Sequence, residues 1–144
     1  MKTAFLFSII GVLLTASVGY GAAADNAFGQ LKQELKKEGV SDEFLKATES
    51  SVKRMLSSAA APADIKTVLW DMWNDGVKGR ALKNAVASVA ELVASGDDTL
   101  EAAKIASAAA HKAESEGLSG FGIGMRVKKA VQARKAYLRS KNLK

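Results

Sequence analysis

The dipeptide Gly39-Val40 recurs 37 residues on as Gly76-Val77, and 41 residues beyond that as Gly117-Leu118. The first offset carries Phe28 onto Ile65, Leu31 onto Val68 and Leu35 onto Met72 ahead of the glycine. After the glycine it carries Leu45 onto Leu82, Val52 onto Val89 and Leu56 onto Val93. A third copy opens in register with Ala102, Ile105, Ala106 and Ala109, then lengthens by about one helical turn before its glycine. It continues with Ile123, Val127 and Ala130. A period of this size marks a supersecondary unit that buries its apolar face by stacking on its neighbours, and about three units make a continuous core.

Each unit reads as helix, glycine turn, helix. Ile65, Val68, Leu69, Met72 and Trp73 follow the i, i+3, i+4, i+7, i+8 spacing of one helical face. Pro62 suits the first turn of that helix, where a missing N–H is harmless, and Gly76 suits the stop just past its end. The partner helix carries Leu82, Ala85, Val86, Val89, Leu92 and Val93 on one stripe. Ser41 is expected to cap the helix through Leu45 and Val52, and Asp97 and Asp98 the helix after residue 98. Helices are expected at about 26–38, 42–58, 62–75, 79–95, 98–116 and 120–140. No segment alternates with the period of a strand. The expected fold is all-α: three tandem helix-turn-helix hairpins, six helices in all, forming a short solenoid or a compact bundle. The Trp, Tyr and Pro positions of the tetratricopeptide consensus have no counterparts. In the third unit, Ala102, Ile105, Ala106, Ala109 and Ala113 replace larger residues, so that helix should pack closely on its neighbours, with no large cavity beside it.

The N-terminus reads differently. Lys2 precedes an apolar run from Thr3 to Val18, and Ala22-Ala23-Ala24 precedes Asp25. That is the order of a secretory signal peptide. Residues 1–24 are expected to be the leader, cleaved after Ala24, and 25–144 a single domain delivered to the periplasm or secreted. An uncleaved leader serving as a membrane anchor is the alternative. The chain has no cysteine, which excludes disulfides, a thiol nucleophile, thiolate metal sites and c-type haem attachment. Stability must come from packing.

Candidate chemistry is sparse. His111 falls on the polar side of its helix with Leu100, Lys104 and Ser107, and only Glu114 stands near it as an orienting partner. An exposed polar residue is the plainer reading than a catalytic one. Asp97, Asp98 and Glu101 open a helix, and Asp71 and Asp75 lie on a polar face; capping and solubility account for both groups. The run Gly117-Leu118-Ser119-Gly120-Phe121-Gly122-Ile123-Gly124 resembles a phosphate cradle, but a helix precedes it where a dinucleotide fold needs a strand. No enzyme activity, cofactor or metal is expected. A small-ligand carrier or an enzyme using the 117–124 turn or His111 is the rival reading.

Charge is more informative. Of 21 basic and 15 acidic side chains, no acid follows Glu116, while Arg126, Lys128, Lys129, Arg134, Lys135, Arg139, Lys141 and Lys144 do. Residues 117–144 carry +8, against −3 over 25–116. Arg134 interrupts the stripe of Ile123, Val127, Ala130, Val131 and Leu138, so the core should end near Val131. The tail can pair with the acidic body, dock on an anionic membrane or envelope surface, or meet an acidic protein partner. Export argues against nucleic acid. Candidate binding residues are Arg126, Lys128, Lys129, Arg134, Lys135 and Arg139, together with Trp70, which sits at the edge of its stripe as a potential interface anchor. Oligomeric state is left open.

Overall fold

The structure, a computed structural model, describes residues 20–74 and 80–143. Within them the apolar stripes fold as six helices and no strand: α1 (Tyr20–Lys37), α2 (Asp42–Ser57), α3 (Pro62–Asn74), α4 (Arg80–Ala94), α5 (Thr99–Ser115) and α6 (Gly120–Asn142). They form a compact all-α bundle. The expected stop at Gly76 and the apolar run of the leader lie outside the described residues. From α2 onward, the helix ends agree with expectation to within two residues, apart from the end of α3 and the start of α4, which border residues outside those described. Helix α1 is already formed at Tyr20, the first described residue and ahead of the expected start, and runs across the Ala24–Asp25 bond. Ala24 is buried, one turn ahead of Phe28 and in line with Leu31 and Leu35 on the face that enters the core. The Asp25 carboxylate meets Lys53 Nζ at 2.7 Å.

The helix starts follow local chemistry. Ser41 accepts a hydrogen bond from the Phe44 N–H at 3.1 Å, and Pro62 is the first residue of α3. Of the two aspartates expected to cap α5, only Asp98 does so, accepting from the N–H groups of Leu100 and Glu101. Asp97 turns inward instead.

Four helix ends close in the same way. The N–H groups of Val40, Ala60, Asp97 and Leu118 each donate to the carbonyl five residues back, those of Leu35, Met55, Leu92 and Ala113, at 3.0–3.1 Å. The residue just before each has positive φ: Gly39, Gly96 and Gly117 at +95°, +92° and +76°, and Ala59 at +64°. This left-handed stop satisfies carbonyls that the helix leaves orphaned and folds the following side chain back onto the last turn. Val40 is buried there, and Ala60 and Leu118 pack on the core. Asp97 occupies the same place with a carboxylate.

Successive helices alternate between two rows. Contacts run from α1 to α3 to α5 and from α2 to α4 to α6, with each helix also touching the next in sequence. Among the described residues α1 and α6 do not touch. Helix α4 lies against α2, α3, α5 and α6, which explains why Ala90 is buried beside the expected stripe of Leu82, Ala85, Val86, Val89, Leu92 and Val93. On α5 the buried line is Ala102, Ala106, Ala110 and Ala113, with Ile105 and Ala109 only half-buried. The face is turned slightly from expectation, because a run of alanines offers no hydrophobic contrast to set it. Val131 is the last fully buried residue of α6.

Candidate functional site

Helix α6 is the last member of its row. Its start is the glycine-rich segment, which is helical from Gly120 and follows the left-handed turn at Gly117. Ser119 stands at the N-cap without a side-chain cap bond. Gly122 and Gly124 are therefore helix residues. A Cβ on Gly124 would lie 2.9 Å from Asn84 Nδ2, so the tip of the Asn84 side chain rests against the bare α-carbon of that glycine.

Six of the seven basic residues of α6 fall into two groups; the seventh, Lys141, places its ammonium 5.1 Å from the centre of the Tyr137 ring. Three are engaged by the body of the protein. Arg126 pairs with Glu116 at 2.9 Å, and Lys135 with Glu91 of α4. Arg134 donates from Nε and Nη2 to the two carboxylate oxygens of Asp97, each at 2.8 Å. The Asp97 side chain is 3% exposed, and it also accepts from the Asp98 N–H at 3.0 Å. The Arg134 guanidinium beside it holds the Asp97 carboxyl below the usual carboxylate range, against the opposing effect of burial. The two polar residues that stand in apolar places of their elements thus satisfy each other.

Lys128, Lys129 and Arg139 form the second group. They are exposed and have no ion pair among the described residues. At 100° per residue, Lys128 and Arg139 share the outward stripe of α6 with Phe121, Met125 and Gln132. Phe121 is 75% exposed and Met125 52%. Beside this stripe an open groove of about 430 Å³ runs between α2, α4 and α6, lined among others by Arg54, Asn84, Ser88, Phe121, Met125 and Lys128. Glu91 also reaches the groove, with its carboxylate held by Lys135. Arg54, on the α2 side, is exposed and has no ion pair among the described residues.

The other sequence candidates lie elsewhere. Trp70 is half-buried and packed on the core. It shares a side of α3 with Lys66, whose ammonium bridges to Glu38, just past the end of α1, at 2.7 Å and to Glu34 of α1 at 3.1 Å. Helices α3 and α6 do not touch, so Trp70 and the α6 cations belong to separate surfaces. Trp73 is also half-buried, its ring 5.3 Å from that of Phe44. His111 Nδ1 lies 3.5 Å from Glu114 Oε2. Among the described residues no group of three or more His, Asp or Glu side chains is placed to hold a metal ion, and no helix is long and apolar enough to cross a membrane. Comparison with protein-family models, with curated proteins and with solved structures gives no match for the chain.

Sequence reasoning passed over Phe121, Met125 and Arg54. The signal for the first two was available: they stand i, i+4 apart and off the Ile123–Val127–Val131 line. The place of Arg54 opposite Lys128 depends on which helices pack together.

Proposed function

We propose that this chain is an exported protein of three tandem helical hairpins that acts by binding, without catalysis, and that α6 docks it on an anionic envelope surface. Residues 1–24 serve as the leader. The two-row order of helix contacts and the shared way in which four helix ends close support the hairpin reading. The Lys-apolar-Ala order of the N-terminus supports export.

The observation that carries the docking reading is that Lys128, Lys129 and Arg139 have no ion pair among the described residues, on a helix whose other arginines and lysines are largely used internally. Each Lys or Arg held near an anionic surface contributes about 1 kcal/mol. Reversing all three charges is therefore expected to weaken attachment by at least about a hundredfold. The test is titration of the full chain, and of Lys128→Glu/Lys129→Glu/Arg139→Glu, with vesicles of phosphatidylcholine with and without phosphatidylglycerol, and separately with polyglutamate. Substitution is preferable to truncation after Val131, which would also remove Arg134 from Asp97. Equal attachment of the triple variant and the native chain would remove these residues from the proposal. Binding of polyglutamate but not of vesicles would shift it to an acidic protein partner.

A further inference from the structure

The groove beside α6 has a composition that a purely electrostatic contact does not need. On one side is the Arg54 side chain of α2, on the other Lys128 of α6, and α4 contributes the Asn84 amide between them. Both cations lack acidic partners among the described residues, and Glu91, the acid that reaches the groove, is taken up by Lys135. At the end nearest the start of α6 the lip is Phe121 and Met125, one turn apart and mostly uncovered. Large apolar side chains normally find cover within the chain. These two stand beside cations on the free side of the last helix in its row. A purely acidic segment would answer the cations and leave the apolar pair in water. A leaflet answers both, with anionic phosphates at its surface and an acyl boundary a few ångströms beneath.

We infer that the α2–α4–α6 groove seats the anionic headgroup of a membrane phospholipid between Arg54 and Lys128, while Phe121 and Met125 enter the acyl boundary and Lys129 and Arg139 lie along the surface. The inference rests on the docking reading above and names its target as a lipid leaflet. Helix α6 then lies in the interface with its N-terminal end deepest. Gly124 contributes by leaving no side chain on the groove wall, so that the Asn84 amide stays within reach.

The absence of native cysteine makes a site-specific probe direct. Phe121→Cys, carrying an environment-sensitive fluorophore, is mixed with phosphatidylcholine vesicles with and without phosphatidylglycerol. Thr67→Cys on α3, in the other row, is the control. The dye at 121 is expected to shift to the blue and brighten only on anionic vesicles, and the dye at 67 to stay aqueous. Unlabelled Phe121→Ser/Met125→Ser keeps every cation and alters only exposed side chains, so its melting curve should match the native one. Its vesicle affinity is expected to fall about tenfold, or about 1.4 kcal/mol. Arg54→Gln should reduce the preference for anionic over zwitterionic vesicles, and inorganic phosphate should compete weakly. An aqueous dye at 121 together with unimpaired binding by the Ser/Ser variant overturns the insertion. If that binding is still lost in the Lys128→Glu/Lys129→Glu/Arg139→Glu variant, surface docking stands without it. Efficient displacement of the chain from vesicles by inorganic phosphate would overturn the lipid assignment and leave a plain phosphate site.

Discussion

Replacing Arg134 by leucine isolates the internal link between α6 and the α4–α5 turn. On sequence grounds the change looks benign, because the offsets of 37 and 41 residues that relate the three units place Leu56 and Val93 where Arg134 stands, and it extends the stripe of Val127 and Val131. The structure predicts the opposite. Asp97 accepts three hydrogen bonds, two of them from Arg134, and its side chain is 3% exposed. Without the guanidinium, the carboxylate keeps one backbone donor in a place that water hardly reaches. Breaking a fully buried pair costs about 3–5 kcal/mol. The Arg134 side chain is 26% exposed, so the site lies at the rim of the core and some rehydration follows. The stranded Asp97 is therefore expected to cost about 2–3 kcal/mol, or a fall in Tm of roughly 6–15 °C for a domain of this size. Asp97→Ala should do less harm, because Arg134 can turn to solvent. The double variant Asp97→Ala/Arg134→Leu should recover to within about 1 kcal/mol of the native chain, since an apolar pair replaces an ionic one. Urea unfolding followed by circular dichroism at all four corners of the cycle measures this. A double variant as unstable as Arg134→Leu alone would show that the carboxylate is not the source of the loss.

The same pair sets a pH dependence. The folded pKa of Asp97 lies below its ordinary value of 3.8, so its stabilisation is complete above the unfolded pKa and is lost as pH falls through the depressed folded value. Native protein should lose stability below about pH 4 more steeply than the double variant, in melts recorded across that range. Ala59→Gly removes a Cβ from a left-handed residue at φ +64° and should raise stability by about 0.5–1 kcal/mol in urea titrations. Ala106→Leu places three further carbons on a fully buried position of α5, and a loss of about 2–3 kcal/mol is expected. Gly124→Ala should be neutral to slightly stabilising in the same titrations. Helix propensity favours alanine by about 0.5–1 kcal/mol, and the one contact under 3 Å is with the movable tip of Asn84.

Much of the molecule was legible before any coordinates. Ile65, Val68, Leu69 and Met72 repeat at the helical spacing, and that face is the one buried. Ser41 and Pro62 mark starts because N-cap and first-turn preferences act over three or four residues of chain. The division of the basic residues was not legible. Arg126, Lys128, Lys129, Arg134, Lys135 and Arg139 form one charged run in the sequence, and only the neighbours of α6 separate the structural members from those with no ion pair among the described residues. Phe121 and Met125 do not stand out in the sequence because they alternate with Gly122 and Gly124, which are ordinary helix residues of α6.

The chain's own order of apolar, capping and turn-forming residues determined that the described part is helical and, from α2 onward, where most of its helices start and stop, because those preferences are satisfied within a few residues. Packing alone decided that Asp97 faces Arg134 and not the α5 start, that Ala110 lies deeper than Ala109, and that Arg54 borders a groove with Lys128. These outcomes depend on which helix lies beside which. That choice is made by the summed burial of whole faces, a quantity that no local stretch of sequence carries.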